Sequence, residues 1–262
     1  MKTLFFFLAF QLLVNSVFAQ TSSLKVIDRQ PMEADRFWGV DSYDQFYFSK
    51  NNVFYKTEDG KRFQFQDLQL GVLESVDLLN PLKLLLFYKE ANTVVLLDNR
   101  LNEIDRVNFN FISEVKTVDF AGISKDNLLW IFNADLQQLE LFNYQLLRTN
   151  ASSLPFNRTV TALKSNYNYA WLKHQEGFLK YNINGSLMTK FSFKDVLSFS
   201  IYKDQLMVQT VDDLGLFQQE TEQLIRFKKP EISFDEFYFN GENLYIYSGK
   251  VLYTYKIITA NN

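Results

Sequence analysis

The feature that most constrains the fold is a pattern that recurs along the whole chain, at a period of roughly 36 to 45 residues. Each copy predicts four short strands, rich in aromatic and branched residues, that are separated by polar turns. The first copy predicts strands over Trp38 to Tyr43, Gln45 to Ser49, Val53 to Thr57 and Arg62 to Leu68. Between the last two, Asp59-Gly60 is typical of a tight hairpin turn. The pattern therefore predicts a four-stranded antiparallel meander.

Five further copies follow the first. They begin near Ser75, Lys116, Thr159, Leu197 and Phe234. The sixth copy supplies only three strands, the last over Val251 to Ile257, before the sequence ends. A segment that belongs to no copy, Leu24 to Arg29, precedes the first copy and has the composition of a strand. We expect this segment to pair with Val251 to Ile257, which would complete the sixth sheet and remove a free sheet edge.

Six four-stranded units joined in this way predict an all-β fold, a six-bladed β-propeller of four-stranded antiparallel blades whose ring is closed by the N-terminal strand. The aromatic load supports strands, since the chain has 27 Phe, 14 Tyr and 3 Trp. A two-sheet sandwich or a closed barrel is the alternative all-β fold, and the regular spacing argues against it. Residues 20–262 are expected to form this single domain.

The first nineteen residues predict a cleaved secretory signal. Lys2 supplies a positive charge, Leu4 to Leu13 is almost entirely apolar, and Val17 to Ala19 precedes an expected cut before Gln20. The apolar run is well short of the roughly 20 residues that a membrane-spanning helix needs. We therefore expect an exported, periplasmic chain that does not itself span the membrane. No cysteine stands at the cut, so a lipid anchor is not expected.

Composition argues against several classes of function. The net charge is −3, and it becomes −4 when the signal with its one lysine is removed; charges of both signs are interspersed, so no nucleic-acid partner is expected. The chain has no cysteine and a single histidine, His174, which we expect to be a solvated turn residue. Neither a zinc site nor any other metal site is expected, and no cofactor is implied.

Catalysis would have to rely on carboxylates. Asp212-Asp213 is the most suggestive pair, and it is expected in a connection between the second and third strands of the fifth copy. Adjacent acids in a turn are more often simply solvated, so we expect no enzyme. The alternative is a propeller that binds a glycan or small molecule, with a glycoside hydrolase as one form of it and with Tyr43, Tyr167 and Tyr202 stacking on the ligand.

Export, a complete scaffold and the lack of a catalytic constellation together favour a module that docks onto a protein. In a propeller, the connections between second and third strands share one face, and polar loop residues there are natural binding candidates. The candidates are Lys50, Asn52, Lys89, Glu90, Asp135, His174, Asp212 and Asp213.

The six degenerate copies, the Phe-, Tyr-, Asn- and Lys-rich composition and Ala19-Gln20 at the cut resemble exported β-propellers of the Bacteroidota. In size and layout the chain is similar to periplasmic propeller subunits of outer-membrane assemblies, including the plug subunit of the gliding-linked protein-secretion translocon. The resemblance implies a partner in an outer-membrane complex. Since the sixth copy runs almost to the last residue, no carboxyl-terminal sorting domain is expected, which favours a periplasmic resident over a released protein.

Overall fold

A computed structural model describes residues 22–219, 223–234 and 236–259. The predicted signal lies outside these residues. The described chain forms 24 strands in six sheets of four. Each sheet is an antiparallel meander, and the structure confirms the six-bladed propeller.

Each blade is numbered in chain order, and its strands are given from the inner to the outer edge. Blade 1 is β2 (Arg36–Val40), β3 (Phe46–Lys50), β4 (Val53–Glu58) and β5 (Lys61–Phe65). Blade 2 is β6 (Ser75–Asp77), β7 (Leu84–Tyr88), β8 (Thr93–Leu97) and β9 (Glu103–Asn108). Blade 3 is β10 (Val118–Ile123), β11 (Leu128–Asn133), β12 (Gln138–Asn143) and β13 (Arg148–Ser152).

Blades 4 to 6 complete the ring. Blade 4 is β14 (Val160–Ser165), β15 (Tyr169–His174), β16 (Gly177–Asn182) and β17 (Leu187–Ser192). Blade 5 is β18 (Ser198–Tyr202), β19 (Gln205–Gln209), β20 (Asp213–Gln218) and β21 (Gln223–Lys228). Blade 6 is β22 (Phe237–Phe239), β23 (Asn243–Ser248), β24 (Val251–Ile258) and, outermost, β1 (Ser23–Pro31).

The closure predicted from the sequence is confirmed. β1 pairs antiparallel with β24, with Leu24 opposite Ile257 and Arg29 opposite Tyr253. Leu24 and Val26 also pack against the apolar cluster between blades 5 and 6. The N-terminal strand therefore covers the outer edge of β24, which would otherwise be a free edge.

The core lies between the blades rather than at the centre of the molecule. The described residues form six buried apolar clusters, and each of them contains side chains from two neighbouring blades. One cluster joins blade 6 to blade 1, with Tyr245 and Leu252 packed among Phe37, Val40 and Phe48. Every blade thus needs both neighbours to bury its faces, which explains why the ring has to close.

Several predicted strand ends need correction. The first strand of blade 1 was expected to reach Tyr43, but it stops at Val40 because the Asp41 carboxylate accepts hydrogen bonds from the backbone N–H groups of Tyr43 and Gln45 and from the Tyr47 hydroxyl. Asp213, expected in a connection, is the first residue of β20.

Candidate docking face

The antiparallel meander fixes which connections share a face of the ring. The connections between blades and those between second and third strands lie together on one side, which we call the interblade face. The connections between first and second strands, and between third and fourth strands, form the opposite face. The predicted site residues all lie in, or at a strand end beside, second-to-third-strand connections, so the structure brings them to the interblade face as expected. Their role in binding a partner stays a prediction.

Several of the predicted site residues brace the loops of this face. Lys50 forms an ion pair with Glu33 at 2.6 Å, and that pairing lowers the pKa of the Glu33 carboxyl. The Asn52 side-chain amide donates to the backbone carbonyl of Gly71 at 2.8 Å. Lys89 forms an ion pair with Asp119 at 2.7 Å. These side chains connect the loops within blades to neighbouring parts of the ring.

The remaining acidic candidates differ in how they are bound. Asp135 accepts a hydrogen bond from the backbone N–H of Thr117, and Asp213 pairs with Arg226 at 3.3 Å. Glu90 and Asp212 are exposed. Asp212 and Asp213 line a groove of about 570 Å³ between blades 4 and 5, together with Arg226.

The prediction that His174 is a solvated turn residue is wrong. His174 is the last residue of β15 and is only 8% exposed. Its Nδ1 accepts a hydrogen bond from the backbone N–H of Glu176 at 3.2 Å. Burial lowers the pKa of the imidazole, and the nearby Arg158 guanidinium lowers it further, against the opposing effect of Glu176. His174 is therefore a structural residue of the turn and offers little surface to a partner.

The sequence patterns did not single out the most exposed apolar side chains of the interblade face. Phe111 is 86% exposed and Leu154 is 85% exposed, and both lie in connections between blades. Apolar residues inside polar loops, such as Phe111 after Asn110, are the signal that could have identified them. The exposed large apolar side chains of this face are Leu68, Val72, Phe111, Val115, Leu136, Leu154, Leu197 and Val211.

The connections of the interblade face are also acidic. Twelve described acidic residues lie in them, against six basic ones. The acidic residues are Glu33, Asp35, Asp67, Glu74, Glu90, Glu114, Asp135, Glu176, Asp195, Asp212, Glu231 and Glu236. The basic residues are Lys89, Lys116, Arg158, Lys194, Lys229 and Lys250. The face is thus suited to a positively charged surface.

The axis of the ring carries a second set of charges. Arg36 of blade 1 forms an ion pair with Glu236 at 2.5 Å. The side-chain ammonium of Lys164 in blade 4 makes no hydrogen bond or ion pair to the described residues, although its charge interacts with Glu236, Asp77 and Arg36. Blades 1 and 4 lie opposite each other, so these groups meet across the axial channel. Lys164 contacts solvent there but is surrounded by protein, and the resulting desolvation lowers its pKa.

Asp77 is the most enclosed of the axial groups. Its carboxylate accepts hydrogen bonds from the backbone N–H groups of Leu79 and Ile123, both within 2.9 Å, and lies 3.4 Å from the Ser165 hydroxyl. Burial raises the pKa of Asp77, while these donors oppose the rise. A Cβ at Gly122 would lie 2.4 Å from the Ser165 oxygen, so this cluster is closely packed.

The residues proposed for an alternative ligand-binding role lie elsewhere. Tyr43 and Tyr167 are in first-to-second-strand connections, and Tyr202 ends β18, so all three are on the opposite face. Among the described residues, no three histidine or carboxylate side chains are grouped to hold a metal ion. No helix in the described ranges has the length and apolar character to cross a membrane.

Solved structures with this fold are propellers. The chain superimposes on the WD40 domain of Neurospora crassa Pan2 with a TM-score of 0.59 and 9% identity, over 86% of this chain and 75% of that one. For the Cps50 (Swd1) β-propeller domain of Myceliophteria thermophila the TM-score is 0.61 at 8% identity, over 90% and 100% of the two chains. No family model matches the chain, and no curated protein matches its sequence.

A third similar structure is a chain of the Mitotic Checkpoint Complex. It aligns with a TM-score of 0.58 and 9% identity, over 90% of this chain and 95% of that one. At these identities the likeness establishes the fold, and the specific function has to be argued from the surface of this chain.

Proposed function

We propose that this chain is a non-enzymatic propeller that docks onto a protein partner through its interblade face. The observation that carries the proposal is the apolar surface of that face, where the most exposed large apolar side chains of the described chain, Phe111 and Leu154, stand among acidic loops. Exposed apolar groups surrounded by polar residues are typical of protein-interaction sites. One of the similar solved structures is a chain of a complex, the Mitotic Checkpoint Complex, which is consistent with a scaffold role.

We further propose that the chain works in the periplasm, at an outer-membrane assembly such as a protein-secretion complex. The predicted signal over residues 1–19 supports export, and the resemblance to Bacteroidota propellers supports the outer-membrane partner. The absence of catalysis is part of the proposal as well. The acidic pair Asp212 and Asp213 is split between solvent and the Arg226 ion pair, an arrangement that favours a structural role.

Affinity purification tests the proposal. The chain, tagged at its carboxyl end, is recovered from the native envelope in mild detergent, and co-purifying proteins are identified by mass spectrometry. We expect a stoichiometric outer-membrane partner, and we expect the tag in the periplasmic or outer-membrane fraction only when residues 1–19 are present. Repeated recovery of the chain alone, or from the cytoplasm, would contradict the proposal.

A further inference from the structure

Four exposed apolar side chains surround the interblade end of blade 3. Phe111 and Val115 lie in the connection from blade 2 to blade 3, Leu136 lies between β11 and β12, and Leu154 lies in the connection from blade 3 to blade 4. They are between 50% and 86% exposed. We call these four side chains the apolar rim of blade 3.

The loop that carries Phe111 and Val115 is fixed by contacts with the buried parts of blades 2 and 3. Ile112 is buried in the cluster between blades 2 and 3, and Lys116, 2% exposed, forms an ion pair with Glu140 at 3.1 Å. The Asn92 side-chain amide donates to the Lys116 carbonyl at 2.6 Å, and its oxygen accepts from the N–H of Val118 at 3.0 Å. The loop is therefore anchored beside Phe111 by Ile112 and beside Val115 by Lys116.

Hydrogen bonds join the first loop to the loop between β11 and β12, and that loop to the connection from blade 3 to blade 4. The backbone N–H of Ala134 donates to the Thr117 carbonyl at 2.8 Å, and Asp135 accepts from the Thr117 N–H at 3.1 Å. The N–H of Phe156 donates to the Gln137 carbonyl at 2.7 Å. All four rim side chains thus stand on one continuous hydrogen-bonded platform.

Exposed apolar side chains on a fixed backbone are what a binding surface needs. Exposing apolar side chains in water adds nothing to the stability of the fold, whereas fixing their backbone in advance reduces the entropy that is lost when a partner is bound. Phenylalanine is also among the residues that are enriched in protein–protein interfaces. The rim therefore has the properties expected of an anchor site.

The charges beside the rim indicate the chemistry of its partner. Glu90, Glu114 and Asp135 are exposed acids of the adjoining loops. The neighbouring lysines are already engaged, because Lys116 is paired with the buried Glu140 and with Glu114, and Lys89 is paired with Asp119. The net charge that the rim offers to a partner is negative.

We propose that the apolar rim of blade 3 docks a protein segment in which an apolar side chain is flanked by lysine or arginine. This inference rests on the proposed function and specifies its contact site. The apolar side chain packs against Phe111 and Leu154, while the flanking cations face Glu90, Glu114 and Asp135. Complementary charge at the edge of the contact favours such a segment over an acidic one.

A phage-displayed library of random linear peptides tests the inference on the purified mature chain. We expect enrichment of peptides that contain an apolar residue next to lysine or arginine. The most enriched peptide is then synthesised, and its affinity for each variant is measured by fluorescence anisotropy. Phe111→Ala should weaken binding by about 30-fold, the factor that corresponds to a hot spot of ~2 kcal/mol. Glu90→Gln combined with Glu114→Gln should weaken binding and reduce its salt dependence.

Matched variants keep the outcome interpretable. Leu82→Ala removes a side chain that is 63% exposed on the opposite face, and it should leave the affinity unchanged. Phe111 is almost fully exposed, so its variant should keep the wild-type melting temperature. No enrichment, enrichment of acidic peptides, or equal binding by the Phe111→Ala variant would overturn the inference.

Two further outcomes separate the rim from other surfaces. If the chain dimerises and Phe111→Asp abolishes the dimer, the rim is a contact between copies and the inference is wrong. A second test compares two double variants, Phe111→Asp with Leu154→Asp and Leu197→Asp with Val211→Asp. If the first keeps the partner recovered from the envelope while the second loses it, the inference that the rim is the contact site is wrong. The docking proposal would then stand, with its contact at blade 5.

Discussion

Lys116 and Glu140 form a buried ion pair in blade 3, and removing one of the two charges should be far more costly than removing both. Both side chains are 2% exposed, and the Glu140 carboxylate also accepts hydrogen bonds from Asn133 at 2.7 Å and from Thr149 at 2.5 Å. Glu140→Gln keeps the size and the capacity to hydrogen-bond but leaves the Lys116 ammonium without its buried counter-charge. The carboxylate left to pair with the Lys116 ammonium would be that of Glu114, whose side chain is 68% exposed and whose Oε1 lies 3.3 Å from Lys116 Nζ.

Removing one partner of a buried pair costs about 3–5 kcal/mol, because a desolvated charge is left behind. Glu114 offsets part of that cost, so we expect Glu140→Gln to lower the free energy of unfolding by about 3 kcal/mol. The double variant Lys116→Met with Glu140→Gln removes both charges and should recover most of the loss. Glu114→Gln, which removes only the exposed partner, should cost about 1 kcal/mol or less.

Urea unfolding followed by tryptophan fluorescence measures these differences, since Trp130 lies buried in β11 of the same blade. A loss of about 3 kcal/mol should move the midpoint by roughly 1 M or more. The reasoning is refuted if Glu140→Gln costs no more than Glu114→Gln, or if the double variant is less stable than Glu140→Gln alone.

Four further predictions follow from the fold, the axial packing, the histidine and the composition. Deletion of residues 22–30 uncovers the edge of β24, so the melting temperature should fall and the chain should self-associate in size-exclusion chromatography; an unchanged, monomeric protein would contradict ring closure. Gly122→Ala should destabilise by about 1–3 kcal/mol in urea unfolding, because its Cβ would overlap the Ser165 oxygen, and adding Ser165→Ala should restore part of the loss. The pKa of His174 is lower in the folded chain than in the unfolded chain, so the unfolded chain binds the proton more tightly and the free energy of unfolding falls as the pH drops below the unfolded pKa. Between about pH 7.5 and 5 the wild type should therefore lose more stability than His174→Gln. Neither reductant nor a strong chelator should alter folding or partner binding, and a melting temperature that drops in chelator and returns with calcium would disprove this.

The architecture could be predicted from the sequence because it depends on local patterns. Turn residues such as Asp59-Gly60 adopt positive φ angles of 49° and 76°, as a tight hairpin requires, and the strand before that turn ends at Glu58. The pairing of Leu24 with Ile257, from opposite ends of the chain, could be inferred because the sixth copy lacked one strand. A closed ring leaves little freedom in how such a deficit is filled.

The side-chain environment could not be predicted in the same way. His174 stands next to two polar residues and so resembles a solvated turn residue, but it lies at the end of a strand whose neighbours cover it. The third copy was expected to begin near Lys116, but this residue lies in the loop before β10 and reaches a carboxylate 24 residues later in the chain. Such burial depends on how blades pack, which no short segment of sequence encodes.

The structure places the predicted site residues on the expected face, and their role in binding stays a prediction. Polar residues of the loops, among them Lys50, Asn52 and Asp135, were chosen because loop polarity often accompanies binding, and in the structure they brace neighbouring loops. The exposed apolar side chains, which offer more binding energy, were hidden among residues that resemble core positions. Phe111 and the buried Phe109 cannot be told apart by residue type.

Site-specific photo-crosslinking in the native host tests most directly whether the interblade face is the docking surface. A photoreactive phenylalanine analogue is placed at Leu154, on the interblade face, or at Leu82, on the opposite face; both side chains are well exposed, so neither change should disturb folding. The analogue at position 154 should give a discrete crosslinked product with an envelope protein, and the analogue at position 82 should give none. A product from position 82 alone, or from neither position, would contradict the proposed docking face.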